Sequence, residues 1–145
     1  MSVQLVEASD IPAPDIGAPI PVVVAREDEV IVAYASRAGG YEGVHFRGLY
    51  ALQFGPPNDE AISGHPLASA GLNAYGRYVV QGSPWIHTLE QMNSVHPQHR
   101  PGFLSQHRHF IIAFHDTLFE CVAQSFEVVP ASTALRFLSA AVGAT

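Results

Sequence analysis

The chain contains no lysine and few charged residues of any kind. Charged residues make up 14% of the 145 positions, against roughly 25% in an average soluble domain. All seven basic residues are arginines and are scattered along the chain. Nucleic-acid binders usually carry a basic patch, and anionic membranes attract basic clusters. We therefore expect neither nucleic acid nor a membrane as partner, and Schiff-base chemistry on a lysine is excluded.

Cysteine is also scarce, because Cys121 is the only one. A single cysteine cannot form an internal disulfide, so nothing indicates an oxidising compartment. The first ten residues, MSVQLVEASD, have neither a basic segment nor a long apolar run of the kind found in signal peptides. These features predict a cytoplasmic protein.

Apolar residues, in contrast, make up 48% of the chain. A surface with so few charges must expose uncharged or apolar atoms, and such surfaces are often covered by a second subunit. We therefore expect a homo-oligomer; the alternative is a monomer with a neutral surface rich in Ser, Gln and His. The length fits one domain. The Pro-rich residues 1–21 are predicted to form an extended arm outside the core, and residues 22–145 a single β-rich domain.

Alternating apolar and polar residues predict several strands. Residues 21–26 and 29–36 form a predicted hairpin, residues 43–54 one long strand that bends at Gly48, and residues 73–82 another strand. Residues 83–93 have a helical pattern, with Ser83 as N-cap and Pro84 in the first turn. The predicted docking face of this helix holds Trp85, Leu89, Met92 and His96. With a short helix over 132–143, the pattern predicts an α+β fold, predominantly antiparallel β (a curved sheet or barrel), with one or two packed helices.

The stretch HRHFIIAFHDTLFEC, residues 107–121, concentrates titratable groups in a predicted hairpin. A turn centred on Asp116 and Thr117 would place Glu120 opposite Ala113 and diagonal to His115. His109 would lie on the same face, opposite Gln124. This face mixes polar side chains with apolar ones, a composition typical of a pocket wall and also of a subunit interface.

A carboxyl group beside an imidazole in sheltered surroundings can exchange a proton near neutral pH. The sequence therefore predicts Glu120, His115 and His109 as catalytic residues, with Glu120 as acid or base and His115 as its partner. Two alternatives remain open. The Glu–His contact could be a purely structural hydrogen bond within the hairpin, or it could belong to a subunit interface.

Residues 55–72 form an unusually long connection that could close over the polar face of the hairpin, and they are predicted to hold two short helical turns. Asp59 or Glu60 could then supply a second carboxylate, whereas helix capping explains Asn58 or Asp59 without any function. His65 is predicted to be either a cap or a lid residue. The remaining predicted binding residues are His45, Arg47 and Gln124.

A metal site is a weaker possibility. His96 and His99 have ligand-like spacing, and His65, His107 or His109 could join them. Structural zinc sites usually contain paired cysteines, which this chain lacks. No cofactor is therefore predicted, and a divalent metal stays a secondary hypothesis.

These observations lead to three functional hypotheses. The first is a protein that binds a small, partly apolar molecule in a His/Glu-lined pocket and catalyses proton transfer on it. The second is a non-catalytic homo-oligomeric or partner-binding module. The third is a histidine-ligated metal site.

Overall fold

The predicted strands and helices are found in order along the chain, together with two strands, at residues 4–7 and 125–130, that were not predicted as separate strands. The computed structural model describes residues 2–143, within which nine strands and two α-helices are found. The strands are β1 (Gln4–Glu7), β2 (Val22–Arg26), β3 (Glu29–Ala35), β4 (Tyr41–Arg47), β5 (Ala51–Gly55), β6 (Arg77–Gln81), β7 (Arg108–Ala113), β8 (Leu118–Ala123) and β9 (Ser125–Pro130). The helices are α1 (Pro84–Asn93) and α2 (Thr133–Ala141), and two short 3-10 turns span Ile62–Gly64 and Ala68–Ala70.

The strands form two antiparallel sheets. One has five strands in the order β1-β6-β7-β8-β5, and the other has four in the order β2-β3-β4-β9. The predicted α+β class, predominantly antiparallel, is confirmed. Within the described residues the strands form two separate sheets that do not close into a barrel, so the barrel alternative is wrong.

Aromatic side chains fill the space between the two sheets. Phe46 of the four-stranded sheet has its ring centroid 5.1 Å from that of Phe110 and 5.6 Å from that of Phe119, both in the five-stranded sheet. All three are fully buried. Because alternate residues of a strand point to opposite faces, their neighbours on β7 and β8 point away from this core, toward the outer face of the five-stranded sheet.

Residues 43–54, predicted to be one curved strand, belong to both sheets. β4 ends at Arg47 in the four-stranded sheet, and β5 begins at Ala51 in the five-stranded sheet. Gly48 lies between them with φ of 64°, a backbone conformation that most side chains disfavour. The predicted bend at Gly48 is therefore a change of sheet.

The predicted N-terminal arm is part of the folded domain. Residues 4–7 pair with β6, and the side chain of Ile11 is fully buried in the core. The prediction that residues 11–21 lie outside the core is thus wrong at Ile11. Proline suppresses regular pairing there but does not prevent burial of an apolar side chain. Residues 1, 144 and 145 of the predicted segments lie outside the described part.

The long connection and α1 cover the outer face of the five-stranded sheet. Leu67 and Leu72 from the connection pack against Ile111 and Leu118 of the sheet. The two predicted helical turns are observed, as is the N-cap: Ser83 Oγ accepts a hydrogen bond from the Ile86 N–H at 3.2 Å.

The predicted docking face of α1 is only partly correct. Trp85 packs edge-on against His109, with ring centroids 5.1 Å apart. Met92, in contrast, is 67% exposed, and His96 is also exposed. α1 therefore docks by its first turns, and its last turn lies in solvent.

Neither helix among residues 2–143 has the length and apolar character needed to span a membrane.

Candidate functional site

The hairpin β7–β8 presents two chemically different faces, as predicted. Phe110, Ile112, Phe119 and Cys121 belong to the core between the sheets. His109, Ile111, Glu120 and Val122 occupy the other parity and lie on the outer face. The polar groups of the hairpin thus point toward the long connection and α1.

The predicted register, however, is wrong by two residues. Phe114 N donates to Thr117 O at 2.9 Å, so His115 and Asp116 form the turn centre. Glu120 consequently pairs with Ile111, not with Ala113. A shift of two preserves the faces, because side chains alternate with a period of two. It moves the histidine diagonal to Glu120 from His115 to His109.

Glu120 is held between two imidazoles. Its Oε1 lies 2.6 Å from His109 Nε2, and its Oε2 lies 2.9 Å from Nε2 of His65, which belongs to the long connection. The side chains of Glu120 and His109 are only 8% and 2% exposed. Both carboxylate oxygens are therefore satisfied within the protein, as a buried carboxylate requires.

The hydrogen bonds determine where each imidazole carries its proton. His65 Nδ1 accepts the backbone N–H of Leu67 at 3.0 Å, so the ring proton of neutral His65 lies on Nε2 and points at Glu120. His109 Nδ1 lies 2.7 Å from Ser83 Oγ. That oxygen already accepts the Ile86 N–H, which leaves the hydroxyl proton free to be donated to His109. Nε2 of His109 then donates to Glu120.

These contacts outweigh the effect of burial on the carboxyl group. Burial raises the pKa of Glu120, but the hydrogen bonds from His109 and His65 and the charges of the two imidazoles lower it further, so the net pKa lies below its usual value. Glu120 is therefore ionised at neutral pH. It is suited to accept hydrogen bonds and to stabilise an imidazolium, and less suited to the predicted role of general acid.

A cavity of about 380 Å³ opens beside this carboxylate. Gln53, opposite Glu120 on β5, contributes to its wall. The lining combines proline, leucine and tryptophan side chains with a few polar groups. The lining residues are Gln53, Pro56, His65, Pro66, Leu67, Pro84, Trp85, Thr88, His109 and Glu120. This volume and composition are typical of small-molecule sites, which range from about 300 to 1,000 Å³.

The structure places His115, Asp59 and Glu60 outside this cavity. Tyr75 Oη lies 2.7 Å from both Asp59 Oδ2 and His115 Nδ1. Asp59 N also donates to His115 O at 2.9 Å. This cluster fixes the start of the long connection to the hairpin turn, and Glu60 is exposed beside it. The predicted pairing of His115 with Glu120 is therefore wrong, and Asp59 is the carboxylate partner of His115.

His45, Arg47 and Gln124 also lie elsewhere. His45 is on the outer face of the four-stranded sheet, with Nε2 2.6 Å from Glu29 Oε1. Arg47 forms an exposed ion pair with Glu127 at 2.7 Å. Gln124 is exposed where the chain leaves the five-stranded sheet. These three predicted binding residues do not line the cavity beside Glu120, because the chain changes sheet at Gly48 and again after β8.

His96 and His99, the main predicted metal ligands, each form a hydrogen bond with a different neighbour. His99 Nδ1 lies 2.9 Å from Asn93 Nδ2, and His96 Nδ1 accepts the N–H of Gln98 at 3.0 Å. Within residues 2–143, no group of three or more His, Cys, Asp or Glu side chains is arranged to hold a metal ion.

Among the residues of the site that were not predicted, Gln53, Ser83 and Trp85 contact the predicted ones. Gln53 has the polar parity of its strand, and this signal could have identified it. Ser83 and Trp85 were assigned only to the start and the docking face of α1. Their contacts with His109 depend on where α1 crosses β7, which no local pattern encodes.

Neither a protein-family model, nor a curated protein, nor a solved structure matches this chain.

Proposed function

We propose that this protein binds a small, partly apolar molecule in the cavity beside Glu120 and transfers a proton there. The observation that carries the proposal is the Glu120 carboxylate held between the Nε2 atoms of His65 and His109 in the wall of a largely apolar cavity. The apolar lining favours the body of a ligand, and the few polar groups would orient it.

The two imidazoles are not equivalent in this mechanism. Protonating His65 at Nδ1 would break its hydrogen bond with the Leu67 N–H. The partner of His109 Nδ1 is a hydroxyl group, which can rotate and accept a proton instead of donating one. His109 is therefore the imidazole that gains a proton, at Nδ1, and passes one on from Nε2 toward Glu120, which lines the cavity. Glu120 stabilises the charged form of His109, and His65 holds Glu120 in place.

The proposal is tested with ¹⁵N-histidine-labelled protein and a fragment library of small aromatic acids, amides and alcohols. Ligands that occupy the cavity should shift the ring nitrogens of His65 and His109 and leave His115 unchanged. Glu120→Gln should weaken their binding, because the amide cannot accept a hydrogen bond from both imidazoles. His115→Ala is the matched control and should bind as the wild type does. Fragments that shift only other residues, or that bind Glu120→Gln equally well, would contradict the proposal.

The second hypothesis, an interaction module, has separate support. Ile16, Ile20 and Val22 are 47–65% exposed in the segment that leads into the edge strand β2. Exposed apolar side chains at a sheet edge favour association with another chain. Light scattering of the purified protein would test its homo-oligomeric form: a concentration-independent monomer contradicts self-association and leaves the cavity proposal unaffected.

A further inference from the structure

A hydroxyl, an imidazole and a carboxylate are connected in series across the site. Ser83 Oγ lies 2.7 Å from His109 Nδ1, and His109 Nε2 lies 2.6 Å from Glu120 Oε1. All three residues are at most 9% exposed. We propose that Ser83 is a nucleophile, activated by His109 and Glu120, for the hydrolysis of carboxylic esters. This inference shares the His109–Glu120 pair with the proposed function. It places the reacting bond beside Ser83, at the Nδ1 side of His109, and not beside Glu120 at the Nε2 side.

The capping role of Ser83 does not account for the whole arrangement. A helix cap requires only that the oxygen accept a backbone N–H, which Ser83 Oγ does with Ile86 at 3.2 Å. The cap leaves the hydroxyl proton unused, and this proton faces a buried imidazole. The imidazole is in turn oriented by an ionised carboxylate, whose second oxygen is held by His65. This order of groups is what activates a weak nucleophile.

Ser83 also lies on a second hollow, distinct from the cavity beside Glu120. This groove, of about 1,170 Å³, is lined by apolar side chains that include Val79, Ile86 and Leu104 and by polar or charged ones that include Glu90 and Arg108. Ser83 and the neighbouring Gly82 contribute to its wall. An ester with an apolar acyl group fits such a surface, with its carbonyl carbon near the hydroxyl. The start of α1 is adjacent, and the dipole of a helix favours negative charge there.

The reaction would proceed in two balanced steps. Ser83 Oγ forms a bond to the carbonyl carbon while its proton moves to His109 Nδ1. The bond between this carbon and the alkoxy oxygen then breaks, and His109 returns the proton to the leaving alcohol. In the second step water attacks the acyl-serine, His109 takes the proton from water, and the acid leaves as Ser83 Oγ recovers its proton.

Covalent labelling with an alkyl fluorophosphonate tests the nucleophile directly. The hydroxyl oxygen forms a bond to phosphorus and fluoride leaves, so intact mass and peptide mapping should show one adduct at Ser83. Ser132, which precedes α2 and makes no capping hydrogen bond, serves as an internal control and should stay unlabelled. Ser83→Asn removes the hydroxyl but keeps a residue that caps helices well. Its fold should be retained and its labelling lost.

The activating groups are tested through rates. With p-nitrophenyl butyrate as substrate, Glu120→Gln should lower hydrolysis on the order of 100-fold, while His115→Ala should leave it unchanged. Absence of a Ser83 adduct in the folded wild type, or equal hydrolysis by wild type and Ser83→Asn, would overturn the inference. If fragments still shift His65 and His109 in that case, the proposed function stands without the nucleophile. If Ser83 is labelled but no fragment binds beside Glu120, the cavity proposal fails and the inference stands.

Discussion

Two histidine–glutamate pairs, one on the outer face of each sheet, have the same hydrogen-bond length and different surroundings. His109 and Glu120 in the five-stranded sheet lie 2.6 Å apart, as do His45 and Glu29 in the four-stranded sheet. Glu120 uses its second oxygen to bind another imidazole and borders a cavity. Glu29 uses its second oxygen to bind Arg26, a half-exposed side chain.

The pair in the four-stranded sheet is covered by α2. The ring of Phe137 packs edge-on against His45, with centroids 5.9 Å apart, and the Arg26 guanidinium lies 5.0 Å from the centroid of the same ring. These contacts explain the pair as an anchor for a helix. Equal hydrogen-bond lengths therefore do not imply equal roles; what surrounds each carboxylate separates a candidate site from a structural contact.

The largest contrast between the two pairs is expected on removing the carboxylates. Glu120→Ala leaves two sheltered imidazoles without their partner and should lower the free energy of unfolding by about 3 kcal/mol or more. Glu29→Ala leaves one buried imidazole, His45, without its carboxylate and removes an ion pair with the half-exposed Arg26, so it should cost less, about 1–2 kcal/mol. Urea unfolding followed by circular dichroism measures both. Equal losses would show that the two pairs are energetically equivalent.

Acid should affect both pairs, and the variants separate their contributions. Burial raises the pKa of each glutamate, but hydrogen bonds lower it further, so that the net pKa is below its usual value. The donors are His109 and His65 for Glu120, and Arg26 and His45 for Glu29. A folded-state pKa below the unfolded value, about 4.3, gives stability that is present above the unfolded pKa and lost as pH falls through the folded pKa. Stability should therefore decline below about pH 4.5.

Glu120→Gln and Glu29→Gln should each make this decline shallower, since neither amide titrates. The free energy of unfolding measured from pH 3 to pH 7 tests the assignment. An acid limb that is identical in the wild type and Glu120→Gln would show that Glu120 does not contribute to it.

A smaller difference in stability is expected between substitutions of His65, in the long connection, and of His115, in the hairpin turn. His65→Ala removes the donor to Glu120 Oε2 and should cost about 1–2 kcal/mol of unfolding free energy. His115→Ala alters a side chain that is 44% exposed, and should cost under about 1 kcal/mol. A larger loss of unfolding free energy for His115→Ala than for His65→Ala would show that His115 contributes more to stability than His65 does.

The most local effect is expected at the helix anchor. Phe137→Ala removes one aromatic contact with His45, worth about 0.5–1.5 kcal/mol, together with the contact to Arg26. Hydrogen exchange should become faster in α2, while the ring nitrogen shifts of His65 and His109 stay unchanged. Changes that spread to these two histidines would show that the outer faces of the sheets are coupled.

Local patterns predicted the faces of the hairpin but not the partners across it. Alternation with a period of two assigns Glu120 and His109 to one face whatever the turn, so that prediction survived a register error of two residues. The choice of His115 over His109 depended on the turn centre, and Thr117 and His115 are both compatible with a turn there.

Contacts between distant segments were beyond the reach of the sequence pattern. His65 reaches Glu120 because the long connection folds across the sheet, a path that its proline and glycine residues permit without specifying it. His45 has the polar parity predicted for residues 43–54. It lies on the outer face of the four-stranded sheet, and not of the five-stranded sheet, because the chain changes sheet at Gly48. The alternation of side chains continues through this change, so the pattern does not reveal it.

The corner at Gly48 has a mechanical consequence. Beside it the chain returns from the five-stranded to the four-stranded sheet: Gln124 N donates to Arg47 O at 2.9 Å, and Tyr50 N donates to Val122 O at 2.8 Å. A Cβ atom at position 48 would lie 2.7 Å from Gln124 Cβ, so the two crossings leave no room for a side chain. Separation of the two sheets would require the hydrogen bonds at both connecting segments to break together. We therefore expect this corner to be the last part of the interlayer space that water enters during partial unfolding.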